Sequence, residues 1–411
     1  MRVLLGAFGD AGHAFPVIAL GLALRARGHD VHVQTWSRWQ PDIEREGLGF
    51  AAAPEYHVFP TRERPLTPYE AVERATVTTR ELVRDLAPDV VVADILTLAP
   101  ALAAELEGVP CATLIPHVDP RPAPGFPLYS IGARLPRTAP GRLLWERLGT
   151  ALDGGLRLGR RELNETRERL GLPSLAHVHG GISRELCLVG TFPQLEYPRP
   201  ADPGRTTTHV VGPLQWEPPN GERVEADGDP SWPVLLVAPS TAQDGEHRLL
   251  RGALEGLADL PVRVLATTNR RLPIPAPAVP ANTTLVDWLS YARTMPHCDA
   301  VLTHAGHGTV CRALSAGCTV IAAPAAGDMN ENAARVVWAG AGVRIPRRLV
   351  GPRAIRLAVG RALEDAALRA RAQAIAGWLE AHDPGVRAAE LLEGFAAQRG
   401  SARDVSPSSS S

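Results

Sequence analysis

The sequence carries almost no net charge: 43 Lys plus Arg against 44 Asp plus Glu leave −1 at pH 7 over 411 residues. It therefore lacks the dense basic patch that nucleic acid or an anionic membrane surface requires of a partner. No apolar stretch approaches the length of a membrane span, and no basic tract followed by an apolar run opens the chain. Neither a span nor a targeting segment is expected. The five cysteines (Cys111, Cys187, Cys298, Cys311, Cys318) are odd in number and contain no CxxC pair. They read as small buried apolar residues in a reducing cytosol, not as disulfides or a metal site. A cytoplasmic location is expected.

What is present is ordinary globular composition, 45% apolar and 21% charged. A length of 411 residues exceeds one ordinary core and suits two domains. The first half alternates short apolar runs ("RVLLGAF", "VHVQT", "PDVVVAD", "VPCATLIP") with segments of helical spacing. A long helical pattern covers Arg142–Leu170. A second alternating series follows: "VLLVAPS", a helix near Glu246–Ala258, "VRVLATT", "TTLVDW", "DAVLTH", a helix from Thr309, "TVIAAP", a helix near Asn332–Ala339, and "GVRIP". Such alternation predicts an α/β fold with parallel sheets covered on both faces. Between the halves, "QWEPPNGERVEADGDPSWP" is polar and broken by proline, as an interdomain linker would be. The expected division is an N-terminal domain 1–214, a linker 215–232, a C-terminal domain 233–380, a last helix 381–399 and a disordered polar tail 400–411. Two facing βα halves form a cleft between them.

The chemistry gathers at strand ends. In "THAGHGTVCRALSAG" a strand ends at His304 and a helix starts almost at once. Gly306 and Gly308 let backbone approach a ligand, and the helix start offers free N–H groups and a positive dipole end. With His304, His307 and Thr309 as added donors, this turn suits a diphosphate. Ser240 and Thr241 in "APST", and Asp328 in "PAAGDMNEN", follow strand ends of the same sheet, where nucleotide ligands are expected. In the first half, His13 stands in the loop "GDAGHAFP" after the first strand, with Pro16 placed for a first helical turn. Asp94 ends the strand "VVVAD". Strand ends in one sheet converge, so a His13–Asp94 pair is geometrically plausible. Histidine is the natural general base near neutral pH when a partner orients it. "DGD", Asp227–Asp229, has the look of a metal-binding pattern but falls in the linker and reads as a solvated loop.

"THAGHGT", "LSAGC" and "PAAGDMNENA" resemble the signature of the inverting, GT-B-fold nucleotide-sugar glycosyltransferases, the superfamily of UDP-sugar transferases and bacterial antibiotic glycosyltransferases. "GDAGHAFP" is similar to that family's acceptor-side loop. The resemblance implies two Rossmann-like domains facing a cleft, with the last helix crossing back onto the N-terminal domain. It implies His13 as catalytic base, Asp94 as its partner and Trp288 stacking on the nucleobase beside Leu289. It implies a diphosphate cradle of Ser240, Thr241, His304, Gly306, His307, Gly308 and Thr309. Asp328 and Met329 would meet the donor sugar. Acceptor contacts are expected from Phe15, His117, Phe126 and Trp145, the roomy "HVDPRPAPGFPLYS" stretch and the helix around Trp145 suiting a polyketide or aromatic aglycone.

Three departures from the family pattern bear on the donor. Arg312 stands where UDP-sugar transferases often hold the ribose hydroxyls with a glutamate, and a guanidinium only donates. Met329 replaces a glutamine that follows the sugar-binding acid, and Tyr291 replaces the glutamine after the tryptophan. These point to a deoxysugar from a TDP-sugar. The expected reaction is inverting transfer to a hydroxyl of a small aglycone, with no metal and no cofactor beyond the nucleotide sugar; homodimerisation is left open. The alternatives are a nucleotide-sugar epimerase of the same fold, a non-catalytic nucleotide-sugar-binding partner, or a UDP-sugar transferase acting on another small molecule. "GDAGHA" is not GxGxxG, which argues against a dinucleotide dehydrogenase.

Overall fold

The computed structural model describes residues 1–54, 68–150, 153–199, 207–219, 221–240 and 244–404. The first seven strands are β1 (Arg2–Gly6), β2 (Asp30–Thr35), β3 (Gly49–Ala52), β4 (Val90–Asp94), β5 (Cys111–Ile115), β6 (Leu186–Val189) and β7 (Thr207–Val210). They form one sheet in the order β3-β2-β1-β4-β5-β6-β7. A second sheet holds β8 (Val234–Ala238), β9 (Arg263–Thr267), β10 (Thr283–Val286), β11 (Ala300–Thr303), β12 (Thr319–Ala322) and β13 (Gly342–Arg344), in the order β10-β9-β8-β11-β12-β13. Every pairing is parallel. Central strands such as β4, β8 and β11 are buried along their whole length, which is why they read as unbroken apolar runs.

Both sheets reverse direction once. The first turns back between β1 and β4, the second between β8 and β11. At such a switch point the loops at the carboxyl ends diverge and leave a crevice. His13 follows β1 and Asp94 ends β4; Ser240 follows β8 and His304 follows β11. Each half therefore presents its candidate site residues at its own switch point.

The helices of the first half are α1 (Ala11–Ala26), α2 (Gln40–Arg45), α3 (Pro68–Leu86), α4 (Leu98–Leu106), α5 (Ala139–Gly149) and α6 (Asp153–Arg169). Those of the second are α7 (Arg248–Leu257), α8 (Tyr291–Thr294), α9 (His307–Ser315), α10 (Met329–Ala339), α11 (Pro352–Glu364), α12 (Ala366–Ala381) and α13 (Pro384–Asp404). The long pattern from Arg142 is thus two helices. α1 starts earlier than the loop reading allowed, so His13 lies in its first turn and Pro16 inside it.

α13 returns to the first half. Its Ala388, Ala389 and Leu392 join the core formed by β1, β2, β4 and α1. Glu393 bonds Arg27 at 2.8 and 2.7 Å and His29 at 2.7 Å. The Arg27 and His29 donors hold its carboxyl down at about 2.

The stretch expected as an interdomain linker is fastened by several of its described residues. Trp216 is only 7% exposed and packs in the core of the first half, edge-on to Phe15. Its Nε1 donates to Glu46 at 3.0 Å. Glu217 accepts from the first two backbone N–H groups of α8, those of Tyr291 (3.1 Å) and Ala292 (2.9 Å). A carboxylate there satisfies helix-end donors and meets the positive end of the helix. Asp227 pairs with Thr284, and Asp229 caps the turn at Ser231. Near its start this strap touches the crossing into α13: a Cβ on Gly212 would meet Pro384 and Trp378 within 3.0 Å. α13 runs on to Asp404, into the stretch from residue 400 that was expected to be a disordered tail, and residues 405–411 lie outside the described residues.

Candidate active site

His13 and Asp94 are brought together. The Nδ1 of His13 lies 2.8 Å from Oδ1 of Asp94, whose side chain is fully buried. The other carboxylate oxygen accepts from the Phe8 backbone N–H (3.1 Å) and the Thr97 hydroxyl (3.4 Å). An ionised carboxylate only accepts, so Nδ1 is the donor of this bond and Nε2 is the ring nitrogen left for another partner. The loop before α1 is pinned from outside. Trp39 Nε1 donates to the Gly9 carbonyl at 2.8 Å, Arg38 donates to the same oxygen, and a Cβ on Gly9 would run into the Trp36 ring.

A row of imidazoles leads from His13 across to the second half. His13 meets His117 edge-on at 6.0 Å, and His117 meets His307 edge-on at 6.4 Å. Nδ1 of His117 donates to the Val118 carbonyl at 2.8 Å. Burial lowers the pKa of His117, and burial with the nearby His117 pushes His307 down to about 3. Burial thus disfavours the charged form of both rings where they line the passage between the halves. His307 faces Gly190 of the first half and Cys311 of its own helix, not open space. Its position at the start of α9 suggested a phosphate contact, but its ring fills the seam between the halves.

The turn between β11 and α9 is held in an uncommon shape. Ala305 has a φ of 65°, a left-handed conformation rare outside glycine. Its N–H donates to Thr303 Oγ1 (3.3 Å), and its carbonyl accepts from Asn332 Nδ2 (3.0 Å). This kink lays His304 over Gly306, where a Cβ would stand 2.4 Å from His304 Nε2. The first bond of the following helix runs from Val310 N–H to Gly306 O at 3.0 Å. The N–H groups of His307, Gly308 and Thr309 therefore precede the intrahelical ladder and are available to an anion. Gly308 is exposed, with open space where its side chain would be. Burial lowers the pKa of His304, and its Nδ1 faces the Ala238 carbonyl at 3.3 Å. His304 also lines a cavity of about 320 Å³ together with Asp244, Arg248 and Arg347. Ser240 is buried at the end of β8, and Thr241 lies outside the described residues.

Asp328 is exposed and sits at the start of α10. Its charge acts on His117, Tyr129 and His304, residues of both halves. Met329 and Tyr129 pack on the same core cluster. Tyr129 lies in the Pro-rich stretch and meets His117 at 6.3 Å, a contact that local composition does not signal. Trp288 is 41% exposed, with the Arg270 guanidinium 4.7 Å from its ring centre. The Leu289 side chain is turned into the core, which leaves only its backbone for a ligand.

The expected acceptor set is less united. Of its members only His117 is in ring contact with His13. Phe15 packs inward, edge-on to Trp39 (5.0 Å) and Trp216 (5.1 Å). His13 and Phe15 are two apart on a helix, and such residues do not share a face. Phe126 packs against Tyr197 and under the Arg199 guanidinium. Trp145 is half-buried on α5, among the exposed Leu143, Leu144 and Leu148.

Sequence reading also missed what joins the halves beneath the cleft. Arg335 of α10 donates to the Leu195 carbonyl (3.1 Å) and to Glu331 (2.8 Å), and its guanidinium lies 3.4 Å from the Tyr197 ring centre. Arg312 is another case. It donates to the Trp216 carbonyl at 2.9 Å and pairs with Glu217 at 3.4 Å, so it ties the strap to α9.

Comparison with known proteins agrees with this architecture. Among solved structures, the calicheamicin glycosyltransferase CalG4 superposes with a TM-score of 0.73 at 22% identity, covering 99% of this chain and 100% of the other. The glycosyltransferase VinC in complex with DTDP gives 0.70 at 20% identity, covering 97% and 100%. The fold is that of the GT-B glycosyltransferases. Residues 251–385 match the family described as erythromycin biosynthesis protein CIII-like, C-terminal domain. The 4'-demethylrebeccamycin synthase of Lentzea aerocolonigenes is 29% identical over 96% of this chain and 99% of its own. The O-mycaminosyltylonolide 6-deoxyallosyltransferase of Streptomyces fradiae is 29% identical over 97% and 98%. The chain is accordingly a glycosyltransferase of GT-B fold, similar over nearly its whole length to antibiotic glycosyltransferases and over residues 251–385 to the EryCIII-like C-terminal domain.

Proposed function

We propose that the protein transfers a deoxysugar from a TDP-sugar to a hydroxyl of a small natural-product aglycone, with inversion at the anomeric carbon. The observation that carries this reading is the His13–Asp94 bond of 2.8 Å on one wall of a cleft whose other wall carries the free N–H groups of α9. In the reaction, Nε2 of His13 takes the acceptor hydroxyl proton while the oxygen attacks the anomeric carbon. The bond from that carbon to the diphosphate oxygen breaks, and the electron pair leaves with the nucleotide. Asp94 stabilises the imidazolium that forms. The N–H groups of residues 307–309, His304 and the helix dipole meet the charge growing on the diphosphate, so neither a metal nor another cofactor is assigned a step.

Two features favour a TDP-deoxysugar. The donor groups of Arg312 are engaged by Trp216 and Glu217, and nothing at that position accepts two ribose hydroxyl protons. Met329 offers an apolar thioether where a hydroxyl-rich sugar would want an amide. The S. fradiae relative is named as a deoxysugar transferase and the solved VinC complex holds DTDP, in keeping with this choice.

The test is a panel of TDP- and UDP-sugars incubated with polyketide and aromatic alcohols, with and without chelator. NMR of the product reads the anomeric configuration. The expected product is an inverted glycoside formed from a TDP-deoxysugar at a rate that chelator leaves unchanged. Retention of configuration, strict metal dependence, or an epimerised nucleotide sugar without any acceptor would each refute the proposal.

A further inference from the structure

Two adjoining cavities, of about 350 and 250 Å³, share Arg134 and Val337. The first brings Arg134, Arg344 and Arg361 around Val337, Val343 and Pro346. The second adds Arg137 and the Trp338 indole. Four guanidinium groups thus border one groove with an apolar floor, and no carboxylate is among the described residues that line it. None of these residues belongs to the donor cradle or the His13 pair.

The arginines converge from both halves. Arg134 and Arg137 come from the loop before α5, whereas Arg344 ends β13 and Arg361 lies on α11. Arg344 is held in place by the Gly132 carbonyl and by Asn330 Oδ1 at 3.3 Å. Arg134, Arg137 and Arg361 are exposed and form no ion pair among the described residues. Arg361 also borders a neighbouring hollow, which Arg356, Glu364 and Asp365 line with it. Burial and the neighbouring Arg134 both lower the pKa of Arg344, against the opposing effect of Glu331 and Tyr197. Gathering four guanidinium groups along a groove whose own lining holds no carboxylate is unfavourable unless an anion joins them, and their planar forks match phosphate oxygens.

We propose that this groove binds a phosphomonoester carried on a small apolar body. A phosphate dianion matches the excess of positive charge better than a single carboxylate does. Val337, Val343, Pro346 and Trp338 supply a surface for the apolar part. The ester would bridge the loop before α5 and the β13–α11 region, joining the two halves at a point separate from the diphosphate cradle.

The experiment is calorimetric titration of phenyl phosphate into the full chain and into the R134A/R361A variant. Both substituted side chains are exposed, so the variant should keep its fold; its melting temperature serves as the check. Wild type should bind phenyl phosphate, and the variant should lose at least tenfold in affinity while TDP binding stays unchanged. Any phosphate taken up by the donor cradle is common to both proteins, so the difference reports the groove alone. Inorganic phosphate should bind more weakly than the ester. Equal affinity of wild type and variant for phenyl phosphate, or no binding by wild type, overturns the site. Equal binding of the ester and inorganic phosphate overturns the role of the apolar floor.

Discussion

His13 and Asp94, separated by 81 residues in the chain, meet at 2.8 Å because β1 and β4 are neighbours in the sheet. The carboxylate fixes one ring nitrogen as a donor and leaves the other as a base. His13→Ala should lower turnover about 10²–10⁴-fold with donor affinity largely kept. Asp94→Asn should also slow turnover, since an amide can present its own N–H to Nδ1 and reverse the tautomer. Steady-state rates beside TDP titration measure both; wild-type turnover in His13→Ala would remove the base from the mechanism.

Gly306 is where His304 lies closest to the backbone. A methyl group there would stand 2.4 Å from His304 Nε2 and drive the ring off the helix start. Gly306→Ala should weaken TDP binding tenfold or more, while the melting temperature changes by only a few degrees. A variant that binds TDP like wild type would show that the cradle does not depend on this ring.

His304 also sets an expectation for pH. Burial holds its pKa below the ordinary 6.5 in the free protein, with Nδ1 turned to a carbonyl. A diphosphate at Nε2 favours the protonated ring, so binding raises its pKa and takes up a proton. TDP affinity should therefore strengthen as pH falls through the value in the complex, then level off below the value in the free protein. His304→Gln should flatten this dependence. Calorimetry across pH, in buffers of different ionisation enthalpy, reads the proton uptake directly; a wild-type slope that survives in His304→Gln points to another group.

Trp216 anchors the strap between the halves. It is nearly buried, and its indole N–H is bonded to Glu46. Trp216→Ala should cost about 3–5 kcal/mol, the usual range for a large aromatic removed from a core. Arg223→Ala, at an exposed strap residue paired only with Glu225, should be near neutral. Denaturant unfolding of both variants makes the comparison; a Trp216→Ala protein as stable as Arg223→Ala would mean the strap is loose.

Much of the fold was legible because its strands are buried on both faces and read as apolar runs bounded by turns. The strand ends then pointed to His13, Asp94, Ser240 and His304 by simple parallel-sheet geometry. The acceptor side was harder to read. Phe15 is expected among the acceptor contacts, whereas α1 begins at Ala11 and places it on a different face from His13. His307 was read by its position at a helix start, but its ring direction depends on packing against Gly190, a residue 117 positions away. The polar composition of residues 215–232 hid its attachment, because Glu217 and Trp216 find their partners in α8 and in the first half. Such side-chain partners depend on tertiary approach, which local pattern does not record.

The backbone passes between the halves twice, once at the strap and once before α13, and the two passages touch where Gly212 faces Pro384 and Trp378. A molecule joined by paired crossings at one edge cannot part like two beads on a string. A change at Gly212, Pro384 or Trp378 bears on both passages at once.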